Sequence, residues 1–492
     1  MAAAKKDSTG QIFKASAIIG GASAVSMIAG VIRNKAVAVL LGPESIGLIG
    51  LLQSVMNTAG TIAGMGMASS GVRQIAEAQA NGDAKCVAGT RKALLWSSAI
   101  LGLFGAGLLV LLRQPVASLV FGHAGYAGAI AWVGAGVWAS TASGAHISIL
   151  NGLRRLGDLA RAYVLGALGG MFLTVPAVWL WGGNGVIVAV ISTPLALLLA
   201  SWWYNLKIPA NGYKFARENI VRTLRGLLGL GFAFMSANLI RQANQLVVRV
   251  VITRTLGLAA AGYFQAAWSI SMLYLGFVLD AMGKDFYPRL SAVARERDTT
   301  NKMVNEQIKI LLLLAGPVIL GMLTLTPQVI NTIYSGAFAE TIGILQWQLV
   351  GDLFKVASWP MGFILVAQER VRLIITMEIF WNLIFLGLIW GGLPAWNLKI
   401  TGVAYFATYI FYFCLLVLIV FRTNHFVYRK RNLLLLAILL GCAAIITLAR
   451  FLPGIFPLAL GLTVTAAAGG FSLLIISRSL GGLPWQKKAD RT

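Results

Sequence analysis

The sequence predicts an all-α polytopic membrane protein, and three observations predict it. Hydrophobic residues make up 58% of the 492 and charged residues 11%, against about 25% charged in soluble domains. Mostly apolar runs recur along the chain, each long enough to cross a bilayer, which takes about 20 residues. The 40 Lys and Arg are sorted by gap: 31 lie in alternate gaps between the runs, four (Arg113, Arg254, Lys399 and Arg450) in the others, and five (Arg33, Lys35, Arg241, Arg249 and Lys355) inside the runs. This is a positive-inside bias. It places both termini in the cytoplasm, flanked by Lys5, Lys6 and Lys14 at one end and by Arg478, Lys487, Lys488 and Arg491 at the other. The net charge of +24 therefore belongs to short loops facing anionic lipid, not to a nucleic-acid surface. The count is fourteen spans, with ends drawn to within several residues.

The first run, 15–41, is too long for a cleavable signal peptide and continues as a spanning helix. It holds Arg33 and Lys35, which point about 200° apart around a helix. Arg33 shares a face with Ser26 and Gly30, a small and polar stripe suited to a cavity wall. Lys35 lies nearer the outer end, where it can snorkel. The second run, 46–68, is rich in Gly and Ser. It carries Gln53 and Asn57 at i, i+4, suited to a ligand or to an interhelical hydrogen bond. Runs 93–112, 127–150, 162–182 and 186–206 complete a first lobe, 1–206. A cytoplasmic linker, 207–226, follows.

The seventh run, 227–253, carries Arg241, Gln245 and Arg249 at i, i+4, i+8, with Asn238 three residues before, all on one face. Such a stripe must line water or pair with another helix, because lipid offers it no partner. Arg249 is near enough to the outer end to snorkel. Run 261–282 ends at Asp280, a candidate gate residue. After run 309–332, run 343–367 places Asp352 and Lys355 at i, i+3 near the midplane. They form either a local ion pair or a switch in which Lys355 exchanges Asp352 for substrate. Run 371–392 holds Glu378, a coupling candidate with no partner in its own helix. Run 401–421 closes a second lobe, 227–425. Two further runs, 433–451 and 456–477, occupy 426–492 with the tail. Helix one ends in Leu41-Gly42, with Gly47 opening the next helix, and helix seven ends in Leu256-Gly257, with Gly262 opening the next. Superposing these glycines makes the lobes a repeat about an axis along the membrane normal.

Five cations inside the runs face three carboxylates, counting Asp280. A cavity of net positive charge suits an anion, and a guanidinium fork suits phosphate. The chain has no Walker A sequence and no metal-ligand spacing. Cys86, Cys414 and Cys442 read as free thiols, and His123, His146 and His425 are isolated. No enzyme, metal or cofactor is expected, and a proton or a sodium gradient would serve equally as the energy source. The loops between runs are too short for a folded domain, which argues against a glycosyltransferase or a polymerase.

The stretch ILQWQLVGDLFKVASWPMGF, with KASAIIGGASAV opening the first helix and LLGPESIG after it, resembles the Wzx-type lipid-linked oligosaccharide flippases. It is most similar to the branch that includes the lipid III (enterobacterial common antigen) flippase, in the multidrug/oligosaccharidyl-lipid/polysaccharide exporter superfamily. The resemblance covers about residues 12–425. It implies two six-helix lobes around a central cationic cavity in a bacterial inner membrane. It also implies alternating-access transfer of undecaprenyl-pyrophosphate-linked repeat units to the periplasmic leaflet, with polymerase and chain-length proteins of the same pathway as partners. Lys35, Asp352 and Lys355 fall in the family's recognisable segments. The last two runs depart from that branch and match the count of the lipid II flippase, which keeps lipid II open as substrate. A drug/cation antiporter of the superfamily would want an acidic cavity instead.

Overall fold

The structure is a computed structural model that describes residues 2–209, 217–451 and 453–479. Sixteen α-helices make up nearly all of it: α1 (Ala2–Gly64), α2 (Met67–Ala80), α3 (Ala84–Leu111), α4 (Arg113–Phe121), α5 (Ala127–Gly152), α6 (Leu156–Trp181), α7 (Gly185–Leu206), α8 (Arg217–Leu256), α9 (Leu258–Ala292), α10 (Arg297–Thr324), α11 (Thr326–Ile333), α12 (Glu340–Ala367), α13 (Val371–Trp396), α14 (Ile400–Asn424), α15 (Lys430–Leu448) and α16 (Phe456–Ser479). Most expected runs lie on one helix, but 46–68 crosses from α1 into α2, 309–332 crosses from α10 into α11, and 433–451 runs past the end of α15. Among the described residues nine stretches are long and apolar enough to cross a membrane, and three of them, Ile18–Gly64, Leu156–Leu206 and Val371–Asn424, pass through two helical limbs. Helices α5 and α9 are not among the nine. In α5 the hydropathy is diluted by Ser140, Thr141 and Ser143. Large apolar side chains such as Phe104 and Trp390 stand exposed on the outside, as lipid-facing helices require. The chain is a multi-pass membrane protein.

The chain forms two compact units. Unit 1 is Met1–Gly262 with Ile333–Ala337, and unit 2 is Tyr263–Thr332 with Phe338–Thr492. The division falls at Gly262, not in the expected linker 207–226. The reason is α8, which begins at Arg217 within that linker and packs on α1, α2 and α3. In unit 1, α1 also packs on α6 and α5, and α6 on α7. In unit 2, α12 packs on α14 and α10, and α15 and α16 lie along α10. Asn305, 3% exposed, ties α15 down. Its amide donates to the carbonyls of Asn301 (2.9 Å) and Val427 (3.0 Å), and its side-chain oxygen accepts from Arg429 N (2.8 Å).

The repeat is legible in the backbone at a constant register of 215. Gly42 and Gly257, 215 apart, break their helices at φ 76° and 89°. Arg154 and Glu369 both have φ 55°, and Gly182 and Asn397 have φ 54° and 47°. Helices α6 and α13 begin and end 215 apart. Gly136 of α5 and Gly351 of α12, also 215 apart, both sit where a Cβ would press on a neighbouring helix, at Ile191 and Phe406 respectively. Helices α3 and α10 keep a register of 213, each 28 residues long with a leucine C-cap.

Candidate functional site

In unit 1, Arg33 leaves α1 toward α7, donating from Nη1 to Thr193 Oγ1 at 2.7 Å. With Ser26, Gly30, Tyr163 and Thr193 it lines a cavity of about 360 Å³. The stripe drawn from helical spacing thus lines one wall. Lys35, two residues on, points elsewhere, its Nζ donating to the Tyr334 carbonyl at 3.5 Å. On α8 the polar stripe pairs along its own helix. Arg241 is exposed and donates from Nη2 to Asn238 Oδ1 at 3.2 Å. Arg249 donates from Nη1 to the Gln245 carbonyl (3.0 Å) and to Gln245 Oε1 (3.2 Å). Arg249 is only 5% exposed, so it does not snorkel; it is buried in the unit.

A second cavity of unit 1, about 280 Å³, is walled by α1, α2, α3, α5 and α8 and has no charged lining residue. It brings Asn57 and Asn238 together and adds Ser98, Ser140 and Gln242. Gln53, Gln245 and Lys35 line neither cavity.

Unit 2 holds a buried polar track. Asp352 has no exposed surface and accepts hydrogen bonds from Ser271 Oγ (2.9 Å), Tyr274 Oη (2.5 Å) and Tyr405 Oη (2.7 Å). Lys355 donates from Nζ to Tyr405 Oη at 3.3 Å and stands 5.7 Å from the centre of the Tyr409 ring. Of the two readings, local ion pair or switch, the structure shows no direct pair within 4 Å between Asp352 and Lys355 among the described residues. The Tyr405 phenol bridges the two groups. Glu378 is exposed on α13 and acts electrostatically on Tyr412. The side chain of Asp280, the candidate gate, lies outside the described residues.

Sequence reasoning missed Ser271, Tyr274 and Tyr405, which are 81, 78 and 53 residues from Asp352. One signal was available: Tyr405, Tyr409 and Tyr412 recur at i, i+4, i+7 in a single run, a phenolic face in a spanning helix. In the same unit, α10, α15 and α16 enclose an apolar cleft of about 320 Å³, lined by Leu439, Ile445, Val464 and Phe471 among others. Among the described residues no group of three His, Cys, Asp or Glu is placed to hold a metal.

Comparisons with known proteins point one way. A family model described as "Polysaccharide biosynthesis protein" matches residues 36–343. The lipid III flippase of Escherichia coli K12 is 25% identical over 411 residues, 82% of this chain and 96% of that protein. Among solved structures, lipid II flippase MurJ in an inward closed conformation superposes with TM-score 0.72 at 16% identity, covering 93% of this chain and 98% of that one. A multidrug resistance MATE transporter of the MOP superfamily, inward-facing, superposes with TM-score 0.62 at 17% identity, covering 81% of this chain and 94% of that one. At these identities the two structures speak for a shared fold.

Proposed function

Since this chain belongs to the polysaccharide biosynthesis protein family, we propose that it is a flippase for polyprenyl-pyrophosphate-linked oligosaccharides of the lipid III or O-antigen type. It carries them from the cytoplasmic to the periplasmic leaflet of a bacterial inner membrane by alternating access. The observation that carries this reading is the placement of Arg33 and Arg241. Both are guanidinium groups inside apolar helices, and each is partnered only by neutral oxygen. A buried or lipid-level guanidinium without a carboxylate calls for an anion. The likeness to the lipid III flippase, which spans 82% of this chain and 96% of that protein, supports the same substrate class.

The physical task is to move a pyrophosphate and sugars through hydrocarbon, where their lost hydration must be replaced. Arg33, Arg241 and Arg249, with Lys35, supply charge, while Gln53, Asn57, Asn238 and Gln245 supply neutral hydrogen bonds. The polyprenyl tail stays in an apolar environment, and the cleft between α10, α15 and α16 is of that kind. Lys355 joins the substrate-binding cations, and Asp352, Glu378 and Asp280 are the coupling and gating residues of this reading, driven by a proton or a sodium gradient. No covalent bond is made or broken. The bilayer and the polymerase and chain-length proteins of the pathway are the partners.

A lipid II flippase is the second reading, favoured by the presence of α15 and α16 beyond the repeated helices. Deleting the gene and analysing lipid-linked intermediates separates the readings. Accumulation of a non-peptidoglycan polyprenyl glycan on the cytoplasmic leaflet is expected. Accumulation of lipid II selects the second reading, and intermediates that reach the periplasmic leaflet unpolymerised reject both.

A further inference from the structure

At the places in unit 2 that correspond to several lining positions of the neutral cavity of unit 1, larger side chains stand where unit 1 has small or polar ones, although the backbone there repeats. At the register of 215, Asn57 corresponds to Met272, Gly60 to Leu275, Gly64 to Leu279, and Gly144 to Trp359. At the register of 213, Ser98 of α3 corresponds to Leu311 of α10. Leu275, Leu279 and Leu311 are buried in unit 2, and Trp359 packs on Phe363. The same helical arrangement therefore carries bulky side chains at these places in one copy and small or polar ones in the other. Small and polar residues at these places are not a requirement of the fold.

The lining of unit 1 also has hydrogen-bonding capacity to spare. Ser98 is 3% exposed, its side chain faces the cavity, and among the described residues its hydroxyl has no protein partner. A hydroxyl so placed is free to bond whatever fills the cavity. Asn57, Ser69 and Gln242 present further side-chain donors and acceptors to the same space, and none of them is spent on another protein side chain. The helix run itself is broken here. Met65 and Gly66 take φ 45° and 67° between α1 and α2, whereas α9 continues unbroken through the corresponding positions.

An uncharged wall of hydroxyls and carboxamides does not suit a phosphate or a metal ion. It suits a ligand that is itself neutral and bears many hydroxyl or amide groups. A volume of about 280 Å³ is at the low end for ligand pockets, which run from about 300 Å³ upward, and matches one ring rather than a chain of them. We infer that this cavity is a subsite for a single neutral sugar ring of the transported lipid, separate from the arginines that take its pyrophosphate. The inference rests on the flippase reading and adds to it where the sugar is recognised.

The test uses the full-length protein in lipid nanodiscs and two probes: undecaprenyl pyrophosphate, and the same lipid bearing one N-acetylhexosamine. The wild type should bind the sugar-bearing lipid about tenfold more tightly, the worth of one or two net hydrogen bonds. Gly60→Leu introduces the residue that unit 2 carries at this position, Leu275. A Cβ there meets nothing within 4 Å, so the side chain enters the cavity without displacing backbone. It should abolish the preference while leaving the affinity for bare undecaprenyl pyrophosphate unchanged. Ser98→Ala and Gln242→Ala, which add no volume, should each reduce the preference and stand in if Gly60→Leu does not fold. Equal binding of both probes by the wild type overturns the subsite and spares the flippase reading. So does a preference that survives Gly60→Leu and both alanine variants, or a loss that falls equally on both probes, the signature of a water-filled structural gap. Binding of neither probe by the wild type removes the flippase reading and the subsite together.

Discussion

Arg241 is the residue on which the anionic-substrate reading most depends. Among the described residues its side-chain partner is Asn238 at 3.2 Å, and it is exposed on α8. Arg241→Ala should abolish export of surface polymer normalised to protein level. Arg241→Lys should restore it only in part, because an ammonium keeps the charge and loses the fork. Full export by the alanine variant would reduce this residue to a helix-surface pair. The second residue-scale case is Tyr405. It donates to Asp352 and accepts from Lys355, so Tyr405→Phe leaves a buried carboxylate with two donors and a buried ammonium with no oxygen acceptor. Detergent-solubilised protein should lose about 1–3 kcal/mol of stability, visible as a lowered melting temperature, whereas Tyr409→Phe should lose less. Equal melting temperatures for both variants would count against the phenol bridge. The charged members of this track were legible, since Asp352 and Lys355 stand out in any apolar run. Its neutral members were not. A Ser or a Tyr in a membrane helix is unremarkable until folding brings residues 53 to 81 apart onto one carboxylate.

At the scale of elements, the sequence carries the helix pattern and the repeat signal, because both are written in residues with few alternatives. Gly42 and Gly257 occupy the left-handed region that other residues enter at a cost. Gly47 and Gly262 meet each other: a Cβ on Gly47 would overlap the Leu258 carbonyl, and one on Gly262 the Pro43 carbonyl. Gly262→Ala should therefore lower folded yield and melting temperature. Gly343→Ala, where a Cβ meets nothing within 4 Å, should leave both unchanged. Similar losses in the two variants would mean that the crossing distance at Gly262 does not decide, since helix propensity alone favours alanine at both positions. The neutral cavity was only half visible. Gln53 and Asn57 drew attention as amides, but of the two only Asn57 lines it. Ser98, Ser140 and Gly144 carry no sequence signal alone, since small residues are equally common where spanning helices simply pack closely. Their meaning came from the second copy, where the same positions are large or charged.

At the scale of the molecule, the repeat and the loop charges make a joint prediction about sidedness. On the charge rule each half would begin at a cytoplasmic segment, so positions 215 apart should lie on the same side of the membrane, as in a parallel duplication and unlike an inverted one. Asn184 and Lys399 are such a pair, both exposed, at the turns that follow the twin breaks at Gly182 and Asn397. Arg154 and Glu369 are another, both exposed and sharing φ 55°. The bias of 31 cations against four between alternate gaps places the first pair in the periplasm and the second in the cytoplasm. In a chain whose Cys86, Cys414 and Cys442 have been replaced, single cysteines at Asn184 and Lys399 should react with a membrane-impermeant maleimide in intact spheroplasts. Those at Arg154 and Glu369 should react only after permeabilisation. Opposite sidedness within either pair would show that the register of 215 is a likeness of local backbone without a common orientation. Reversed sidedness of both pairs together would keep the duplication and overturn the charge rule for this chain, and with it the cytoplasmic placement of both termini.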